Sequence, residues 1–180
     1  MIAPSANMSV WVGDDVVYVK VAGRANFTSS VDFKALVQGL RQKGHEKFVL
    51  DLSECQLMDS TFLGVLAGLG QKLMRARNGD REPGISLCGP SPRITDLLAN
   101  LGVADLFKVV TTPDCGDRLR PVAGVGGPDK KEVSKTCLEA HTTLMELNPA
   151  NVAKFKDVAA FLAEDLKRME VAEETPQAEE

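Results

Sequence analysis

The apolar residues of this chain change their period partway along, and a Gly/Pro-rich stretch marks the change. Up to residue 112, short β-branched runs alternate with segments of helical spacing; from residue 130 onward only helical spacing is left. Between them, residues 113–129 include the run Gly124-Val125-Gly126-Gly127-Pro128 and carry no apolar periodicity, the composition of a linker. The chain therefore reads as four parts: residues 1–112, an α/β domain; 113–129, a linker; 130–170, a helical hairpin; and 171–180, a solvated acidic tail.

Within the first part, Met8 to Val12 and Val16 to Ala22 lie either side of Gly13-Asp14-Asp15 and read as a hairpin. Ser29, with Asp32 three positions on, resembles a capping box, and Phe33, Leu36, Val37 and Leu40 predict a helix that Gly44 ends. Lys47 to Leu52 is mostly apolar without clean alternation, which suits a strand covered on both faces. Phe62, Leu66, Leu69 and Leu73 mark a second helix, Ile85 to Cys88 a strand, and Ser91-Pro92 the start of a third helix that Gly102 stops. Leu106 to Val110 makes the last strand. The alternation argues for a mixed sheet with helices on at least one side. Past the linker, Val133, Cys137, Ala140 and Leu144 predict one helix, and Val152, Phe155, Val158, Leu162, Leu166 and Met169 another, broken at Asn148-Pro149.

Composition removes several function classes. A chain of 180 residues buries about 70% of its unfolded surface, so metal or disulfide staples are unnecessary. Residues 1–129 hold 14 basic and 14 acidic side chains, so the net charge of −4 belongs to residues 130–180 and nucleic-acid binding loses its electrostatic support. Cys55, Cys88, Cys115 and Cys137 are far apart with no CxxC, so neither a metal site nor any other cofactor is expected, and the cysteines read as core fillers. Met1 to Asp15 lacks a basic region followed by an apolar one, and no apolar run spans a membrane; a reduced, cytoplasmic setting is expected. His45 and His141 read as structural. With no G-x-S-x-G elbow, an enzyme is not expected. Gly64, Gly68 and Gly70 form no phosphate cradle and read as close-packing positions against the sheet.

The most informative segment joins the third strand to the second helix: Met58-Asp59-Ser60-Thr61-Phe62-Leu63-Gly64. Asp59 or Ser60 suits the helix N-cap, and capping alone would account for both. A hydroxyl at a helix start is also exposed and sits on the positive end of the dipole, where it can carry a phosphate of about −1.5 to −2 charges.

With Asp51-Leu52-Ser53 before it and Leu98-Ala99-Asn100-Leu101-Gly102 and Phe107-Lys108-Val109 after it, this segment resembles the signature of STAS domains, specifically the bacterial anti-sigma factor antagonists, over about residues 8–112. The resemblance implies a STAS-like mixed β-sheet flanked by helices, to which the C-terminal hairpin is an addition. It implies phosphorylation at Ser60 by an anti-sigma factor that is a serine protein kinase, reversal by a serine phosphatase, and partner switching in transcription regulation; Thr61 is the weaker acceptor. Asp59, Phe62, Leu63 and Asn26 would contact the partner. Phe62 stands where many antagonists have Gly, and Asn26 stands near a common Asp; Phe62 also keeps phase with Leu66, which suits core packing. The alternative is a STAS scaffold subunit of a larger sensory or transport-associated assembly, with residues 130–170 as the candidate surface for a homodimer.

Overall fold

Apolar residues at every second position put Val17, Val19 and Val21 on one side of a strand, and all three are fully buried. They belong to β2 (Val17–Ala25), which pairs antiparallel with β1 (Asn7–Val12), Trp11 opposite Tyr18, as the expected hairpin. On its other edge β2 runs parallel to β3 (Phe48–Asp51) and, farther along, to β4 (Cys55–Met58). Then β5 (Ile85–Cys88) and β6 (Phe107–Val110) continue the sheet in parallel, and β7 (Arg120–Pro121) joins the free edge of β1. The order is β6-β5-β3-β2-β1-β7, with β4 attached to β2. This computed structural model describes residues 5–76, 82–111, 115–124 and 127–174.

The sheet is covered on one face, not two. Phe48 and Leu50 of β3 are buried, whereas Val49 and Asp51 are half-buried beside Tyr18, Lys20, Ser86 and Cys88 of the neighbouring strands. Two short strands, β4 and β7, were not expected. The second lies inside the stretch read as a linker, where the Arg118 guanidinium also stacks over Trp11 at 4.1 Å from the ring centre.

Helix α1 (Phe27–Gln42) begins earlier than the sequence suggests. Its N-cap is Asn26, whose Oδ1 accepts from the Ser29 amide at 3.1 Å while Ser29 Oγ accepts from the Asn26 amide at 3.0 Å. Ser29 is therefore the inner member of the capping box, because the box needs its polar partner at the third helical position. At the far end Gly44 takes φ +92°, the Gly44 amide donates to the Arg41 carbonyl and the His45 amide to the Leu40 carbonyl. His45 thus helps close the helix through its backbone. Helix α3 (Pro92–Asn100) starts at Ser91, as expected, and Gly102 follows it with φ +67°.

Helix α2 (Ser60–Ala76) lies between the sheet and a third layer. Phe62, Leu66 and Leu73 are fully buried and Leu69 nearly so, with Phe62 stacked on Phe33 of α1 at 4.9 Å. The opposite face, Ser60, Gly64 and Gly68, meets α4 (Lys130–Leu147), which continues through a turn into α5 (Val152–Glu174). So Gly64 and Gly68 serve the extension rather than the sheet; of the three glycines, Gly70 faces Leu106 and Phe107. A Cβ added to Gly64 would lie 2.5 Å from the Ala140 carbonyl oxygen, so only glycine allows this crossing. The turn is anchored by Asn151, whose Nδ2 donates to the Leu101 and Leu144 carbonyls, each at 2.9 Å. Helix α5 runs four residues into the stretch read as a tail; residues 175–180 lie outside the described part.

The crossing gives a paired prediction. Gly64→Ala should destabilise the chain by about 1–3 kcal/mol through overpacking. Gly68→Ala, whose new methyl would sit 3.6 Å from Thr143, should be neutral or stabilising by up to about 1 kcal/mol from helix propensity. Urea denaturation of both variants checks this, and equal midpoints would contradict the packing.

Candidate functional site

The candidate site forms where β4 runs into α2. One residue before the helix, Asp59 splits its carboxylate between two chain segments: Oδ1 accepts from the Phe62 amide at 2.8 Å, and Oδ2 from the Phe27 amide at 2.7 Å. A single carboxylate thereby caps α2 and ties it to the start of α1. The Asp59 amide completes the brace by donating to the Ala25 carbonyl at 2.9 Å. Burial pushes the Asp59 carboxyl up, opposed by the Phe62, Phe27 and Thr61 backbone and by His141 nearby.

Because Asp59 is the cap, Ser60 is the first residue of α2 and its hydroxyl is free of that duty. Ser60 is not an exposed hydroxyl, as the sequence suggested, but half-buried under α4, its Oγ 3.0 Å from His141 Nε2. Its neighbour Thr61 is buried, and Thr61 Oγ1 donates to Cys137 Sγ at 3.6 Å. His141 is itself buried and packs tilted against Phe155 of α5, ring centres 4.9 Å apart, and its Nδ1 makes no well-formed hydrogen bond. Burial lowers the imidazole pKa, while the Cys137 carbonyl one turn earlier and the Asp59 carboxylate act in the other direction. A neutral ring facing a hydroxyl is the result. Serine, histidine and aspartate are neighbours here, but both Asp59 oxygens are engaged by backbone amides and Nδ1 has no carboxylate to orient it, so the relay of a hydrolytic triad is not made.

The other sequence-derived residues divide. Asn26 belongs to the site: it caps α1 one residue before Phe27, whose amide Asp59 holds and whose ring is 48% exposed. Phe62 and Leu63, expected on the docking face, are both 0% exposed. Their helical phase turns them to the core, and the face left for contact is that of Ser60, Gly64 and Gly68. His141, read as structural, is buried in the extension and also meets Ser60, a contact the sequence reading missed. An apolar stripe tells that a helix buries a face, not which surface it covers. Among the described residues there is no cluster of His, Cys, Asp and Glu that would hold a metal ion, and no helix long and apolar enough to cross a membrane.

A family model described as "Mlab, STAS domain" matches residues 10–111. Among solved structures, TM1081 of Thermotoga maritima, assigned as an anti-sigma factor antagonist, superposes with a TM-score of 0.50 at 23% identity, covering 58% of this chain and 86% of that one. The anti-sigma factor antagonist SpoIIAA in its unphosphorylated form superposes with a TM-score of 0.50 at 15% identity, covering 58% and 88%. At these identities the likeness establishes the fold. No curated protein matches the chain in sequence. Residues 112 onward, with α4 and α5, lie beyond the family match.

Two measurements probe the site. Asp59→Ala leaves the Phe27 and Phe62 amides without their acceptor and should cost about 2 kcal/mol in urea denaturation. A cost below about 0.5 kcal/mol, the size of an ordinary surface substitution, would contradict the brace. His141 supplies a pH dependence: its folded pKa is lowered, so between that value and the unfolded value of about 6.5 the unfolded chain binds more protons. Stability is therefore retained above about pH 6.5 and falls as the solution is acidified through the folded pKa. His141→Asn should flatten the fall below pH 6.5, and an unchanged slope would contradict the burial of a neutral ring.

Proposed function

We propose that this chain, which belongs to the STAS domain family, is a signalling protein of the anti-sigma factor antagonist type, in which phosphorylation of Ser60 decides which partner is bound. The observation that carries the reading is the place of the Ser60 hydroxyl. It opens α2, is relieved of capping by Asp59, and lies against the neutral ring of His141. A phosphate ester there brings about −1.5 to −2 charges to a contact now made between uncharged groups. The positive end of α2 favours that charge, so the domain tolerates it while the surface packed over Ser60 does not. The similarity to an antagonist described in its unphosphorylated form supports the same reading.

In this scheme an anti-sigma factor with serine kinase activity transfers the γ-phosphoryl group of ATP to Ser60 Oγ, releasing ADP and the hydroxyl proton, and a serine phosphatase hydrolyses the ester. The unphosphorylated chain binds the anti-sigma factor in the cytoplasm and so frees a sigma factor. Asp59 and Asn26 shape the loop ends beside Ser60, with Phe27 exposed between them. Thr61 is the weaker acceptor, being buried and engaged by Cys137.

A second reading has its own support. The family description names Mlab, and α4 and α5 add a long extension to the domain, both of which suit a scaffold subunit of a larger assembly, with residues 130–170 as a dimer surface. Ser60 would then have no switching role.

Intact-mass and phosphosite mapping of the chain purified from its own cells, with capture by Ser60→Ala and Ser60→Asp forms, separates the two. Switching predicts phosphate on Ser60 and at least a ten-fold difference between the two variants in binding the same partner, about 1.4 kcal/mol. Equal capture by both would overturn it in favour of the scaffold.

A further inference from the structure

Ser60, Gly64 and Gly68 recur at every fourth position of α2, opposite the Phe62 stripe, and make a shallow groove almost free of side chains. The extension fills it. Ala140 crosses at Gly64, Thr143 lies over Gly68, Cys137 touches Thr61 and His141 meets Ser60. This seat differs in kind from the sheet side of α2, which is sealed by large apolar residues. Of the buried polar side chains, Ser134, Thr136, His141 and Asn151 all belong to the extension. Among the described residues the buried side-chain atoms without a hydrogen-bond partner are Thr136 Oγ1, His141 Nδ1 and Asn151 Oδ1, and every one of them is on the extension. Thr136 and His141 are on α4 itself, and unpaired buried polar atoms weaken the packing of the helix that carries them, so α4 is held less firmly than its buried apolar area implies.

The two ends of α4 are also unequal. At its C-terminal end Leu144 is fully buried, Asn151 bonds to two carbonyls, and Lys154 donates to the Asn100 carbonyl at 3.0 Å. Through its middle α4 is tied to the domain by His141 to Ser60, Cys137 to Thr61 and an ion pair between Lys34 and Glu139 at 2.6 Å, and nearer its N-terminus Glu132 lies 4.0 Å from Lys34. Exposed ion pairs of this sort add little.

We propose that the outer face of α2 is a helix-docking surface that this chain fills with its own α4, and that a protein partner reaches Ser60 only by displacing α4 about the Asn148–Asn151 end. The partner that fits presents a helix with a small residue, as Ala140 is, where it crosses Gly64. Phosphorylation and the seated α4 then exclude each other, since a phosphate does not fit in the 3.0 Å between Ser60 Oγ and His141 Nε2. The proposal takes its meaning from the switching role of Ser60, but its test needs no kinase, so the two fail separately.

Hydrogen exchange on the full chain provides that test. Ala140→Leu alters only the extension and should accelerate exchange of residues 61–66 and 130–141 together by at least about ten-fold, leaving β2 and β3 protected. Thr61→Cys sets a second thiol beside Cys137; oxidation should join them, verified by mass, and slow residues 130–141 below the wild-type rate, with reduction restoring it. Exchange of α4 in step with β2 and β3 in every form would overturn the proposal. Failure of the disulfide to form, or an oxidised form exchanging as fast as the reduced one, would overturn it equally.

Discussion

Where Ala140 crosses Gly64, two helix backbones meet with nothing larger than the Ala140 methyl at the contact, and the rest of the candidate site depends on that approach. Helices usually pack about 8–10 Å apart, with side chains filling the gap. A glycine at the crossing lets α4 settle until His141, one residue after Ala140, reaches the first residue of α2. A leucine in place of Gly64 would hold α4 off by the width of its side chain, and the hydroxyl of Ser60 would face water. The identity of a residue with no functional group thus decides the environment of the residue that has one.

Beneath that crossing a second constraint sets the geometry of the loop. Asp59 is the cap of one helix and a brace to the start of another, so the positions of Ser60 and Asn26 are coupled through a single carboxylate. The arrangement separates two neighbours that the sequence had left open as caps: the aspartate caps the helix, and the serine hydroxyl is left free of capping. It also explains why a charge added at Ser60 would be felt by α4 before it is felt by the domain. The sheet side of α2 is apolar and sealed, while the extension meets the hydroxyl with the His141 ring, whose other nitrogen is only partly satisfied.

Periodicity carried most of the architecture. The hairpin of β1 and β2, the helices α1 to α3 and the two helices of the extension were legible because each is long enough to show its repeat. β4 and β7 were not, since Cys55-Gln56-Leu57-Met58 and Arg120-Pro121 carry no β-branched residue, unlike the equally short β3, β5 and β6, and exist through partners β2 and β1. The cap of α1 was misplaced because Asn26 and Ser29 are both polar and only the backbone distinguishes the outer from the inner member of the box. The site was half legible: Asp59 and Ser60 stood out at a strand-to-helix junction, while His141 did not, because 81 residues separate it from Ser60. A signal for the covering helix was nonetheless present, in small residues at positions 60, 64 and 68 on the face opposite the leucines. Taken with Gly70, Gly64 and Gly68 read from sequence alone as packing against the sheet.

The central claim is that a phosphate on Ser60 and α4 in its groove are mutually exclusive, and the most direct measurement uses the modified chain itself. With phosphoserine incorporated at position 60 during synthesis, amide exchange across residues 130–147 is compared with that of the unmodified protein. The account predicts faster exchange there with β2 and β3 still protected. Exchange that is unchanged, or slower because a protonated His141 grips the phosphate, would contradict it.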